Sequence, residues 1–301
     1  MNSHIYQKNI YMRINTYLCY GISLLGMVGG LFIQSRNIYD FISTSFDNTS
    51  LSIILLLLKQ FMFWSLYLEI TPQFWGMLLS KTIFWNRYHH KTTKEGTLIH
   101  DEIRDGIMIS VQHIVSTLTT AYGFYYNNLA FARFGITAEI AYEINDIITI
   151  IFNLRRNKAK PILIKVVLLS HHFFGTLTFP VFLYYLDVYY VQNVIMALIG
   201  SGTILCIMLP IQYVPDIKTI RGSRVSFVMH TIHLIEFVYM RWYIGFANNE
   251  WFKAIEMVYP NYIVYPFVIG ISSIILFNII ITIIFFERFY KSAVQYFKNN
   301  E

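Results

Sequence analysis

Cysteine and charge are what this chain has least of. Its two cysteines, Cys19 and Cys206, sit in apolar runs with no C-x-x-C and no second pair. A disulfide framework and a thiolate zinc site are therefore excluded, and each thiol reads as a small buried hydrophobe. Charged residues make up only 13% of 301, against roughly a quarter in soluble domains. A water-soluble enzyme is excluded on that balance. Also missing are an H-E-x-x-H zinc helix, a G-x-S-x-G nucleophile elbow and a glycine-rich phosphate loop. Neither histidine cluster makes an H-x-x-x-H or H-x-x-H-H box of the kind membrane di-iron enzymes and acyl-chain elongases need. His171-His172 has no histidine three or four residues upstream, and His230-x-x-His233 has no third. No metal and no cofactor are expected from these patterns.

What is present is apolar surface. Hydrophobic residues are 55% of the chain, aromatics 18%, and the mean hydropathy is +0.48. That composition predicts an all-α, polytopic transmembrane helical bundle. Apolar runs long enough to cross ~30 Å of hydrocarbon fall at roughly 16–35, 51–71, 106–126, 137–154, 162–186, 190–212, 225–246 and 263–287, about eight spans. If the connecting segments alternate sides, 17 Lys and Arg residues collect on one side, and only Arg36, Arg133 and Lys253 on the other. Basic loops stay in the cytoplasm, so both termini are expected there. The same rule explains the +6 net charge, and no nucleic-acid partner is expected.

The Asn48-Thr49-Ser50 sequon falls in the first non-cytoplasmic loop, the side on which glycosylation occurs. The first run lacks a small-residue cleavage site and reads as a retained span. Pro72 should end or kink the second run, leaving 73–80 as an interfacial extension. Trp85, Tyr88, His89, His90 and Lys91, in the long loop that follows, suit the headgroup layer.

Ionisable residues inside the spans carry the functional signal, because each costs ~2.5–3.5 kcal/mol at mid-bilayer on insertion scales. Glu139, Glu143 and Asp146 are spaced i, i+4, i+7, on one helical face that must look into the bundle. The next span answers with Lys165, His171 and His172. The turn between these two spans centres near Lys158, so Asp146 lies ~18 Å and His172 ~21 Å from it. An antiparallel hairpin then sets Asp146 beside the histidine pair. His230, His233 and Glu236 share a second face, and His113 with Thr117 and Thr120 a third. A polar cavity near mid-membrane, opening to the cytoplasm, accommodates all of them. His113 alone reads as interhelical glue. Arg241, near the luminal end of its span, is expected to snorkel to the interface.

Four segments resemble the TLC domain, the six- to eight-helix fold of the TRAM, LAG and CLN membrane proteins. VQHIVSTLTTAYG at 111–123 resembles that family's W-N-x-R-(I/V)-V-S-T-(I/L)-H-A helix. AYEINDIITIIF at 141–152 is similar to its Y-x-x-x-D helix, with Tyr142 and Asp146 in the motif places. LLSHHFFGTLTFP at 168–180 looks like its histidine helix, and TIIFFERFYKSA at 282–293 like its closing segment. The resemblance implies two amino-terminal helices and a basic loop over 1–99, a TLC-like six-helix domain over 100–295, and a tail over 296–301. The chain departs from the family at His113, where an arginine is usual, and at Thr119, where a histidine is. It also lacks the usual glutamate between Met196 and Pro210 and the His-Asp that marks ceramide synthases.

Three functions compete. The first is a TLC-type protein of the endoplasmic reticulum or a related endomembrane that binds or senses membrane lipids and influences lipid composition. The second is an acyltransferase in which His172, oriented by Asp146 with His171 alongside, serves as base on an amine or hydroxyl attacking acyl-CoA. The third is a proton-coupled transporter using the carboxylate ladder as a relay, although no internal repeat of the transporter kind is visible.

Overall fold

The computed structural model describes residues 50–82, 87–88, 90–92, 98–152, 162–183, 186, 188–247 and 261–300. The first expected span, the Asn48 sequon, Trp85, His89 and the turn around Lys158 lie outside the described residues. Among the described residues all regular structure is helical, apart from one isolated bridge between Thr92 and Leu98. The helices are α1 (Ser50–Ile70), α2 (Pro72–Ser80), α3 (Ile99–Tyr125), α4 (Leu129–Ile151), α5 (Ile162–Leu183), α6 (Tyr189–Ile211), α7 (Ile220–Phe237) and α8 (Asn261–Lys298). A π-helical segment, Val238–Ala247, continues α7.

Among the described residues four helices are long and apolar enough to cross a membrane: Ile53–Ile70 within α1, α5, α6 and Val268–Lys298 within α8. This fits an integral membrane protein. Leu58, Met62 and Leu66 on α1, and Leu276, Ile279, Ile283 and Phe286 on α8, stand exposed, as apolar side chains do where the solvent is lipid. The long helices α3, α4 and α7 are more polar, and α4 is the most enclosed. Glu139, Glu143, Asp146 and Thr137 on it are all buried, beside Ile136, Ile140 and Ala141.

Local sequence explains the ends. Pro72 opens α2 directly after Thr71, since its missing N–H is no loss in a first turn. Thr219 caps α7 by accepting the Gly222 N–H at 3.0 Å. Between α3 and α4 the chain reverses on Asn127, whose φ of 53° is left-handed. The Asn128 N–H reaches the Gly123 carbonyl at 2.7 Å and the Asn127 N–H that of Phe124 at 3.3 Å, the Schellman arrangement that asparagine or glycine permits.

Helix contacts run α3 to α4, α4 to α5, α5 to α8, α8 to α7, the π-helical extension of α7 to α6, and α6 back to α3, closing a six-helix ring with α1 against the outside of α4. Small residues let the neighbours approach. A Cβ on Gly106 of α3 would sit 2.9 Å from Pro210 Cδ of α6, and Gly135 of α4 lies against Ser116, Thr119 and Thr120 of α3. One end of the ring is filled by an apolar cluster: Ile136 and Ile140, Phe179 and Phe182, Ile195 and Ile199, Ile271 and Ile274. The polar residues of α3, α4 and α5 lie beyond it.

Candidate functional site

Asp146 of α4 and His172 of α5 meet inside the ring, with His172 Nε2 2.8 Å from Asp146 Oδ2. The other carboxylate oxygen, Oδ1, accepts from the Thr149 hydroxyl at 3.3 Å. With Nε2–H given to Asp146, Nδ1 of the neutral ring keeps its lone pair. That atom is buried and has no hydrogen-bond partner among the described residues.

His171 lies against the same pair, its ring 5.3 Å from that of His172 and stacked at 3.7 Å on Phe277 of α8. Glu143 comes up one helical turn from Asp146. Its carboxylate rests on the bare backbone of Gly175, where a Cβ would fall 2.6 and 2.7 Å from the two oxygens. Glu143, His171 and His172 each offer one ligand atom, and the three lie within 4.8 Å of one another.

A second pair sits one turn further along α4. His113 Nδ1 approaches both Glu139 oxygens, at 2.9 and 3.0 Å. Tyr142 stands between the pairs, its ring 4.8 Å from His113 and 6.1 Å from His172. Thr117 joins its hydroxyl to that of Thr203 at 2.6 Å, and Thr203 donates to the His113 carbonyl at 3.0 Å. These contacts bind α6 to α3 directly behind the His113 side chain.

The third set lies on α7. His233 is buried against Phe285 of α8, ring centroids 4.2 Å apart. His230 Nδ1 is engaged by the Ser226 carbonyl at 2.8 Å. Glu236 is half-buried, and both its oxygens lack a partner among the described residues. No hydrogen bond or ion pair among the described residues joins these three to Asp146 or His172. Lys165 is half-buried two turns from His172 on α5.

The expectation for Arg241 is overturned. Instead of snorkelling, it is 5% exposed, donating Nε to the Ser201 hydroxyl and a terminal nitrogen to the Leu198 carbonyl at 3.0 Å. The wide π-helical turn re-aims the side chain into α6, over the Phe237 ring. Its guanidinium is within electrostatic reach of Glu139, Glu143 and Glu236. A lone arginine late in a hydrophobic run gives no hint of such a turn.

Sequence reasoning also missed Gly175, Phe277 and the fully buried Asn278, whose side-chain amide has no partner among the described residues. The His113–Glu139 pair, by contrast, had a signal. Taking Asn127 as the turn, His113 lies 14 residues before it and Glu139 12 after, the same depth on adjacent helices.

Chemically, the arrangement offers a hydrogen-bonded carboxylate–imidazole pair, an adjacent carboxylate whose Oε2 has no hydrogen-bond partner among the described residues, and a second imidazole, enclosed by helices whose outer faces are apolar. Comparison with family models, curated proteins and solved structures finds no match for this chain.

Proposed function

We propose that this chain is a membrane-embedded lipid-handling protein that binds or senses lipid within the helical ring and influences membrane lipid composition. The buried Asp146–His172 pair, with Glu143 and His171 beside it, carries the reading. Several ionisable groups gathered inside a bundle with an apolar outer surface are too costly to serve as glue alone. They give a polar headgroup or acyl carbonyl a place to bind while acyl chains lie against apolar helix faces. The TLC resemblance of residues 100–295 supports the same reading. So does the expected topology of eight spans with basic loops and both termini in the cytoplasm of an endoplasmic-reticulum-like membrane.

A photoactivatable, clickable fatty acid fed to cells and crosslinked in isolated membranes tests it. Labelled peptides are expected from α4, α5 and α8, with labelling reduced by His172→Ala. Lipid mass spectrometry with and without the protein should show a changed profile. Uniform labelling of lipid-facing residues, unaffected by His172→Ala and with no change in profile, would sink the reading.

A second reading is favoured by one distance. The 2.8 Å Asp146–His172 contact is a base with its orienter, as acyl transfer from acyl-CoA to an amine or hydroxyl requires. Turnover of acyl-CoA with a long-chain amine by the purified chain, abolished by His172→Ala while lipid crosslinking persists, would promote it above lipid binding.

A further inference from the structure

We infer that Glu143, His171 and His172 form a binding site for one divalent transition-metal ion of the zinc or iron(II) class. The sequence shows no ligand signature, because the three come from two helices and no spacing rule links them. Four observations carry the assignment. Their ligand atoms lie within 4.8 Å of one another, and among the described residues this is the one such His/Cys/Asp/Glu set. Glu143 Oε2, His171 Nδ1 and His172 Nδ1 are buried atoms with no hydrogen-bond partner among the described residues. Glu143 is 4% and His172 8% exposed. Asp146 holds the far nitrogen of His172, the carboxylate–histidine arrangement that turns a neutral imidazole's lone pair toward a metal.

Leaving buried polar atoms unsatisfied is costly, and a single cation bound between Glu143 Oε2, His171 Nδ1 and His172 Nδ1 would satisfy all three. Bonds of ~2.0–2.2 Å would bring the ligand atoms roughly 3–3.5 Å apart in tetrahedral geometry. Closing from at most 4.8 Å needs side-chain rotation of about an ångström, not backbone motion. Gly175 keeps the carboxylate seated for this. Two imidazoles and one carboxylate suit zinc or iron(II) better than magnesium or calcium, which take oxygen ligands. Three protein ligands leave a coordination position for water or a substrate oxygen. With the ion bound, His172 is a ligand and not a base, so metal occupancy and the acyl-transfer reading divide on the same atom. Loading is read without lipid, so its failure would leave the lipid reading standing.

The test uses the full chain purified in detergent, stripped with chelator and reloaded with zinc sulfate, or with ferrous sulfate under anaerobic conditions. Elemental mass spectrometry is expected to find about one ion per chain, and the metal that loads best tells zinc from iron. Glu143→Gln and His172→Ala should lose at least ten-fold in affinity. Asp146→Asn should lose ten- to a hundred-fold, while His100→Ala, outside the cluster, retains the wild-type value. Metal should also raise the melting temperature of wild type and not of Glu143→Gln. In case these variants fail to fold, X-ray absorption on the loaded wild type should show two imidazoles and oxygen in the first shell. Substoichiometric metal at micromolar free ion, full loading of folded Glu143→Gln and His172→Ala, or a first shell without imidazole would each overturn the assignment.

Discussion

Glu143 occupies space that Gly175 leaves open, and that exchange is measurable. Gly175→Ala would put a methyl group 2.6 Å from a carboxylate oxygen, an overpacking that costs roughly 1–3 kcal/mol. A lowered melting temperature in detergent is expected. Glu143→Ala in the same chain should relieve it, so the double variant melts above the sum of the two single losses. Strict additivity would show that the two residues do not meet. Arg241 is the other residue whose neighbours decide its effect. Arg241→Ala removes the donor to Ser201 and Leu198 and a cation within electrostatic reach of Glu139, Glu143 and Glu236. Stranding buried charge in this way costs about 3 kcal/mol. The melting temperature should fall well beyond that of Ser201→Ala, which removes one acceptor; equal shifts would return Arg241 to the interface.

At the scale of elements, α4 organises the molecule because small residues bring its neighbours close. Gly135 faces Ser116, Thr119 and Thr120 of α3, and Ser116 Oγ donates to its carbonyl at 2.8 Å. Gly135→Val should force the two helices apart and cost roughly 2–3 kcal/mol. That loss would appear as a lower melting temperature and, because His113 and Glu139 straddle the same contact, as weaker lipid crosslinking. A variant that melts like wild type would show that α3 and α4 do not pack here. Most of these elements were legible beforehand: apolar runs and Pro72 mark helices without reference to any partner. The π-helical segment was not, because widening the turns changes no hydropathy and exchanges one backbone pattern for another. Nor was the low charge tolerance of individual runs a guide to role. The more polar helices α3, α4 and α7 lie in the ring beside α5, α6 and α8, which are apolar enough to span.

For the molecule as a whole, the distribution of basic residues predicts that tags on both termini are digested by protease added to sealed microsomes. Protection of either tag would remove the eight-span, cytoplasmic-termini topology and with it the expectation that the polar cluster opens to the cytoplasm.

The sequence by itself determined the solvent, since 13% charge leaves too little polar surface for a globule in water. It also determined helicity and that Glu139, Glu143, Asp146 and His172 must turn inward, because in lipid every exposed charge is penalised wherever it falls. Depth counted from a turn was enough to set Asp146 level with His172, as rise per residue is a property of one helix. What the tertiary structure alone decided is which atoms face one another. His233 turns to Phe285, His113 to Glu139, and Glu143 to His171 and His172. Those choices depend on helix rotation and on glycine contacts between segments distant in sequence, and no periodicity within one helix encodes the face its neighbour presents.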